Sequence, residues 1–157
     1  MKTTLLYTIV LFLIIIGFVV WLIYMQVEEY KLQDDPKLRE LKEKFYPFFD
    51  KKDFTGNLEP LNKQNLLNKI SLYKGDKSYT INKQKVFLCL KDENGNYYPD
   101  MALIYVFLHE CAHSVCSEIG HTPLFNEIFD ELLLEAAKSG LYDPKYQMIQ
   151  NYCNYND

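Results

Sequence analysis

Two kinds of hydrophobic pattern divide this chain. From Thr4 to Met25 the run TLLYTIVLFLIIIGFVVWLIYM carries no charge over 22 residues. At about 1.5 Å per residue, that length crosses a hydrocarbon core of about 30 Å and predicts a transmembrane helix. Trp21 and Tyr24 near its far end suit the interfacial aromatic belt. A cleaved signal peptide is the rival reading, but the apolar run is long for one and no small-x-small site follows Met25. Residues 1–25 are therefore read as an uncleaved anchor, 26–35 as a polar juxtamembrane linker and 36–157 as one domain.

Beyond the linker the pattern becomes periodic. Asp35-Pro36 reads as an N-cap followed by proline at the first helical position, and Leu38, Leu41 and Phe45 recur at helical spacing until Pro47, which is expected to end the helix. Gly56 and Pro60 interrupt the next stretch, in which LNKQNLLNKI fits one more helix. From Lys77, SYTIN and then KQKVFLCLKDENGNYY have the β-branched and aromatic content of strands, one over about Lys85 to Leu90, with an Asn-Gly turn at 94 and 95.

Asp100, after Pro99, reads as the N-cap of a helix MALIYVFLHECAHSVCSEI. From Met101 to Leu108 this helix is apolar on every side, the mark of a buried central helix. Gly120 is expected to end it in a left-handed conformation. Thr122-Pro123 restarts a helix with an apolar stripe at Leu124, Phe125, Ile128, Phe129, Leu132, Leu133 and Ala136, closed by Ser139-Gly140. Asp143-Pro144 is expected to open a short last helix with Tyr146 and Met148, and the tail NYCNYND to fray. The sum is an α+β domain: a small sheet packed on a buried helix, with an amphipathic helix following.

Composition narrows the function. Thirteen Tyr and 10 Phe give a modest domain enough large side chains for a packed core. Net charge is −4 and the basic residues are dispersed, so no nucleic-acid partner is expected. Cys89, Cys111, Cys116 and Cys153 form no C-x-x-C pair and are expected to be buried free thiols. Lys31, Lys37, Arg39, Lys42 and Lys44 outnumber Lys2 across the apolar run, which leans towards a domain facing the cytosol. None of the 11 asparagines sits in an N-x-S/T acceptor, which fits that orientation.

The chemistry lies where the apolar helix stops being apolar. His109 and His113 lie one turn apart on one face, and Glu110 projects about 60° from His113. That is the H-E-x-x-H arrangement of zinc hydrolases, and His121 follows in the next segment. Polar groups buried in such a helix are costly unless paired or metal-bound. Catalytic zinc takes three protein ligands and a water whose pKa falls to about 7. His109, His113 and His121 are read as the Zn2+ ligands, and Glu110 as the general base that passes the proton to the leaving amine. Glu127, Glu131 and Glu135 on the following helix are the alternative source of a third ligand, although their spacing of four also suits a solvated face opposite the apolar stripe.

The segment TINKQKVFLCLKDENGNYY…ALIYVFLHECAHSVCSEIGHTPLFNEIFDELLLEAAKSGLYDP, about Thr80 to Pro144, resembles the small WLM/SprT-like zinc metallopeptidases of the minigluzincin type, in the forms found in large double-stranded DNA viruses. The shared marks are His109, Glu110, His113, His121 and the aromatic Phe125. The resemblance implies a zincin-like core in which the strand before the active helix, Val86 to Leu90, lies along the substrate cleft as an edge to which an extended peptide adds. The seven residues between His113 and His121 exceed the metzincin spacing, so that class is not implied. Tyr97, Tyr98 and Tyr142 flank the motif, and none is singled out as an oxyanion-stabilising group.

These readings converge on a single-pass protein of a host or virion membrane, held through residues 4–25, that hydrolyses peptide bonds in a protein or peptide substrate. The competing reading is a non-catalytic membrane or virion protein with a closed structural zinc site, for which Cys116 is the nearest thiol in sequence to serve as fourth ligand.

Overall fold

The computed structural model describes residues 2–50, 53–62 and 70–154. It divides into two units, Met1–Asp34 and Asp35–Asp157. The first is one helix, α1 (Lys2–Gln33), with its apolar side chains exposed from Leu5 to Met25 and a span long and apolar enough to cross a membrane. The helix does not stop at the expected linker. Residues 26–33 contain neither Gly nor Pro, and Lys31 pairs with Glu28 at 2.7 Å one turn away, so nothing local interrupts the backbone before Pro36.

The second unit opens on α2 (Pro36–Asp50), capped as expected by Asp35, whose Oδ1 accepts from the Lys37 amide at 2.8 Å. Pro47 does not end this helix. An interior proline costs about 3 kcal/mol, but continuing the helix buries Phe48 and Phe49, each of which contributes about 1.5–3 kcal/mol. Of the anticipated LNKQNLLNKI helix, Leu61 and Asn62 belong to a 3-10 turn, Gly56–Asn62, and 63–69 lie outside the described residues.

Three short strands form the sheet: β1 (Ser71–Gly75), β2 (Tyr79–Ile81) and β3 (Lys85–Cys89), in the order β1-β3-β2. β1, which the hydrophobic pattern did not announce, runs parallel to β3 from Ser71↔Lys85 to Gly75↔Cys89. β2 runs antiparallel to β3, with Thr80 opposite Val86. The strand read as the substrate-facing edge is thus the central one: β3 has both sides occupied, and the edge beside the histidine helix belongs to β2. Tyr73, Phe87 and Tyr79 stack across the three strands with centroids 4.9 and 4.7 Å apart, while Val86 and Leu88 are fully buried on the opposite face.

The hairpin joining β2 to β3 is a two-residue turn in which Asn82 and Lys83 both have positive φ, +51° and +57°. The Gln84 amide closes it onto the Ile81 carbonyl at 3.1 Å.

Among the described residues two more helices complete the domain, α3 (Asp100–Val115) and α4 (Pro123–Lys138). Asp100 is not the cap of α3: it lies in the first turn after Pro99 and forms ion pairs with Lys37 and Lys44 of α2. The apolar girth of α3 is explained by its neighbours. Phe107 stacks on Phe45 of α2 at 3.8 Å, Tyr105 meets Phe129 of α4 edge-on at 5.2 Å, and the sheet covers a third side. α3 ends four residues before the expected Ile119, because Cys116 turns extended (ψ 131°). Lys83 at the hairpin tip donates to the Cys116 carbonyl at 2.6 Å, supplying a partner for that helix end. Gly120, with φ +87°, bends the connection instead of closing the helix.

α4 begins and ends where its sequence says. Thr122 Oγ1 accepts from the Phe125 amide at 3.3 Å, and Gly140 at φ +78° lets the amides of Gly140 and Leu141 reach the carbonyls of Ala137 and Ala136, a Schellman ending.

The last segment departs from expectation twice. Asp143 forms a turn, accepting from the Lys145 and Tyr146 amides at 2.9 Å, and no helix follows there. The tail is tied down: Tyr152 and Cys153 are buried and Cys153 forms a disulfide with Cys89. Two of the four cysteines are therefore bridged, and only Cys111 and Cys116 are the buried free thiols expected of all four. Pairing of residues 64 apart depends on where the tail returns, which the spacing of cysteines does not reveal.

Candidate metal centre

The structure brings His109, His113 and His121 together. His109 and His113 project from the last two turns of α3, and the bend at Cys116 and Gly120 carries His121 back over them. His121 Nε2 lies 3.0 Å from His109 Nε2 and 3.2 Å from His113 Nε2. A ring nitrogen is either a donor or an acceptor, so the His121 nitrogen cannot make a good hydrogen bond to both neighbours at once. Three imidazole nitrogens around zinc at about 2.0–2.1 Å stand roughly 3.3 Å apart in a tetrahedron. The donor set and its spacing fit that ion.

Phe125 is the floor beneath these rings. It stacks on His113 at 4.1 Å and meets His109 and His121 at 4.9 Å each, while Phe129 meets His109 edge-on at 5.0 Å. Rings packed this way are held in orientation by contact. Burial, and after it the two neighbouring imidazoles, lower the His109 pKa to about 4. That keeps the ring neutral, the form that ligates a metal. Burial likewise lowers the pKa of His113.

Glu110 is buried, with 5% of its surface exposed. Desolvation raises its pKa, and the hydrogen bond from Thr80 opposes that rise. Thr80 Oγ1 donates to Glu110 Oε2 at 2.6 Å from β2, across the cleft from α3. The sequence reading did not find Thr80. In the sequence Thr80 is a polar residue between two apolar ones, a pattern that points it to solvent, and only its place beside α3 turns it to Glu110.

These residues line a cleft of about 720 Å³ whose far wall is Met148, Ile149, Asn151 and Tyr152. Of the tyrosines, Tyr79, Tyr105 and Tyr152 line it; Tyr97 instead donates to Asp35 at 3.2 Å, and Tyr98 accepts from the Cys153 amide at 3.0 Å. Tyr142 packs near Tyr105, 6.0 Å between centroids. The alternative ligands lie elsewhere: Glu127 is exposed and accepts from Asn57 at 3.3 Å, and Glu135 pairs with Lys138 at 2.7 Å. Among the described residues the donor cluster contains neither these carboxylates nor Cys116, which is fully buried.

No described protein family matches the chain, and no solved structure does. It is 48% identical to "Uncharacterized protein 136R" of Invertebrate iridescent virus 6 over 110 residues, 68% of this chain and 62% of that one. It is 42% identical over 100 residues to "Uncharacterized protein 042R" of Invertebrate iridescent virus 3, 63% of each chain. With "Uncharacterized protein R325" of Acanthamoeba polyphaga mimivirus it shares 35% identity over 85 residues, 50% of this chain and 43% of that one. The chain thus spans between 43% and 63% of the length of these relatives, and it is similar to proteins of large DNA viruses.

Proposed function

We propose that this chain is a membrane-anchored zinc metallopeptidase with a zincin-like domain. The observation that carries the reading is the convergence of three imidazole nitrogens beside a buried glutamate on the same helix. His109, His113 and His121 would hold the ion, which when bound supplies a Lewis acid that acidifies water and polarises a carbonyl. Thr80 occupies Oε2 of Glu110, so the other carboxylate oxygen is the one left to take a proton from the attacking water and return it to the leaving nitrogen. Desolvation supports that role by raising the carboxyl pKa towards working pH.

β2 is the edge strand beside these groups, so an extended substrate backbone pairs there, where Tyr79 and Ile81 are about 40% exposed. α1 would hold the domain at a membrane. The Cys89–Cys153 disulfide favours its oxidising side, against the lean given by lysine and arginine, because such bridges are rare in the cytosol.

Purified full-length protein in detergent should contain one zinc per chain. Glu110→Gln should retain that zinc and lose about 10²–10⁴-fold in peptide cleavage, read by mass spectrometry of a peptide library. Full activity in Glu110→Gln would sink the mechanism.

A further inference from the structure

The segment from Met148 to Cys153 has the features of a positioned wall. Cys153 is bonded to Cys89 at the end of β3. Tyr152 donates to the Cys89 carbonyl at 2.5 Å and lies 3.2 Å from Ser78 Oγ, which itself accepts from the Cys89 amide at 2.9 Å. Asn151 and Cys153, on either side of Tyr152, both adopt left-handed backbone, φ +59° and +51°. For residues with a β-carbon that conformation is unfavourable, and it persists where surrounding contacts over-determine it.

This strap, with Met148 and Ile149 half-buried, faces the same cleft as Tyr105 and Val106, which precede His109 and Glu110 by one helical turn. The apolar side chains therefore continue the surface on which the reacting groups stand. Lys83 on this cleft already donates to the Cys116 carbonyl, and Glu118 is exposed on the connection before His121. The strap itself offers no charge to pair with a charged side chain.

We propose that the strap is the specificity wall of a side-chain subsite for an apolar residue of leucine or methionine size, next to the bond presented to the three histidines, and that the Cys89–Cys153 bridge holds it in place. This rests on the metallopeptidase reading. Reduction by a dithiol delivers two electrons and two protons, giving two thiols on the protein and a cyclic disulfide of the reductant. The wall then loses its covalent tie and keeps only its hydrogen bonds and the packing of Tyr152 on Tyr98, and selectivity falls.

The test is calorimetric binding to the zinc-loaded full chain in lipid nanodiscs, with acetohydroxamate, a leucyl peptide hydroxamate and its aspartyl counterpart. The leucyl compound should bind at least tenfold more tightly than the aspartyl one. Ile149→Asp, at a half-buried position outside the core, and the pair Cys89→Ser with Cys153→Ser should each reduce that ratio below threefold while acetohydroxamate affinity stays the same. An undiminished ratio in Ile149→Asp overturns the proposal even where the cysteine pair fails to fold. So does a wild-type protein that binds acetohydroxamate and shows no preference, an outcome that leaves the metal reading standing. A zinc-loaded protein that does not bind acetohydroxamate at all defeats the metallopeptidase reading and the subsite together.

Discussion

One wall of the cleft, α3, is made of neighbours in sequence: Tyr105, His109, Glu110 and His113 share it because a helix repeats every 3.6 residues. The opposite wall, β2 with the C-terminal strap, is held by contacts that span 30, 64 and 74 residues. The local wall carries two of the three imidazoles and Glu110; the assembled wall carries the hydrogen bond that holds Glu110 and the apolar surface of the strap. Chemistry is thus encoded locally and its setting is encoded by topology. Damage to the first should remove the site, and damage to the second should leave a site that is loosely set.

The largest effect should come from Phe107→Ala, which removes a fully buried ring stacked on Phe45 behind the histidines. A loss of about 3–5 kcal/mol is expected, visible as a lower denaturant midpoint of the full chain in detergent, with zinc retained less well. A midpoint unchanged within error would mean that α3 does not depend on α2 for its place.

The cysteine pair replaced by serine tests the other wall. Closing a loop of 64 residues stabilises by about 4 kcal/mol in the chain-entropy account. The double variant should lose most of this, again by denaturant midpoint, yet keep one zinc per chain under native conditions. Loss of zinc with an intact fold would show that the two walls are not separable.

The smallest effect joins them. Thr80→Val deletes the hydroxyl that holds Glu110 and keeps the shape of the side chain. A fall of about tenfold in kcat with KM and zinc content unchanged is expected, the equivalent of about 1.4 kcal/mol, and Thr80→Ser should restore it. A fall confined to KM would assign Thr80 to substrate contact instead of to positioning the base.

The same division explains how much could be read in advance. Asp35-Pro36, Thr122-Pro123 and Ser139-Gly140 mark helix ends correctly because caps are local: each places its polar atom or its left-handed residue within a turn of the groups it satisfies. The convergence of His109, His113 and His121 was legible for the same reason, since one turn and one bend bring them together.

Pro47 misled because the burial of Phe48 and Phe49 outweighs the lost backbone bond, and no local rule contains their partners Phe54 and Phe107. Asp100 misled because two lysines of α2 recruit it into ion pairs. β1, the central place of β3, Thr80 and the fastened tail were all invisible, because each is defined by which distant segment lies beside it. Among the tyrosines the sequence singled out none, and Tyr79, Tyr105 and Tyr152 reach the cleft through a sheet edge, a helical turn and a long return.

The bridge between Cys89 and Cys153 also closes a covalent ring, and that ring contains α3, the bent connection and α4. All three histidines and Glu110 belong to it. A protease that nicks the chain once at an exposed point such as the turn at Asp143 would leave two polypeptides that cannot separate, with every group of the centre still on one linked molecule. The domain is, in that sense, looped against a single cut.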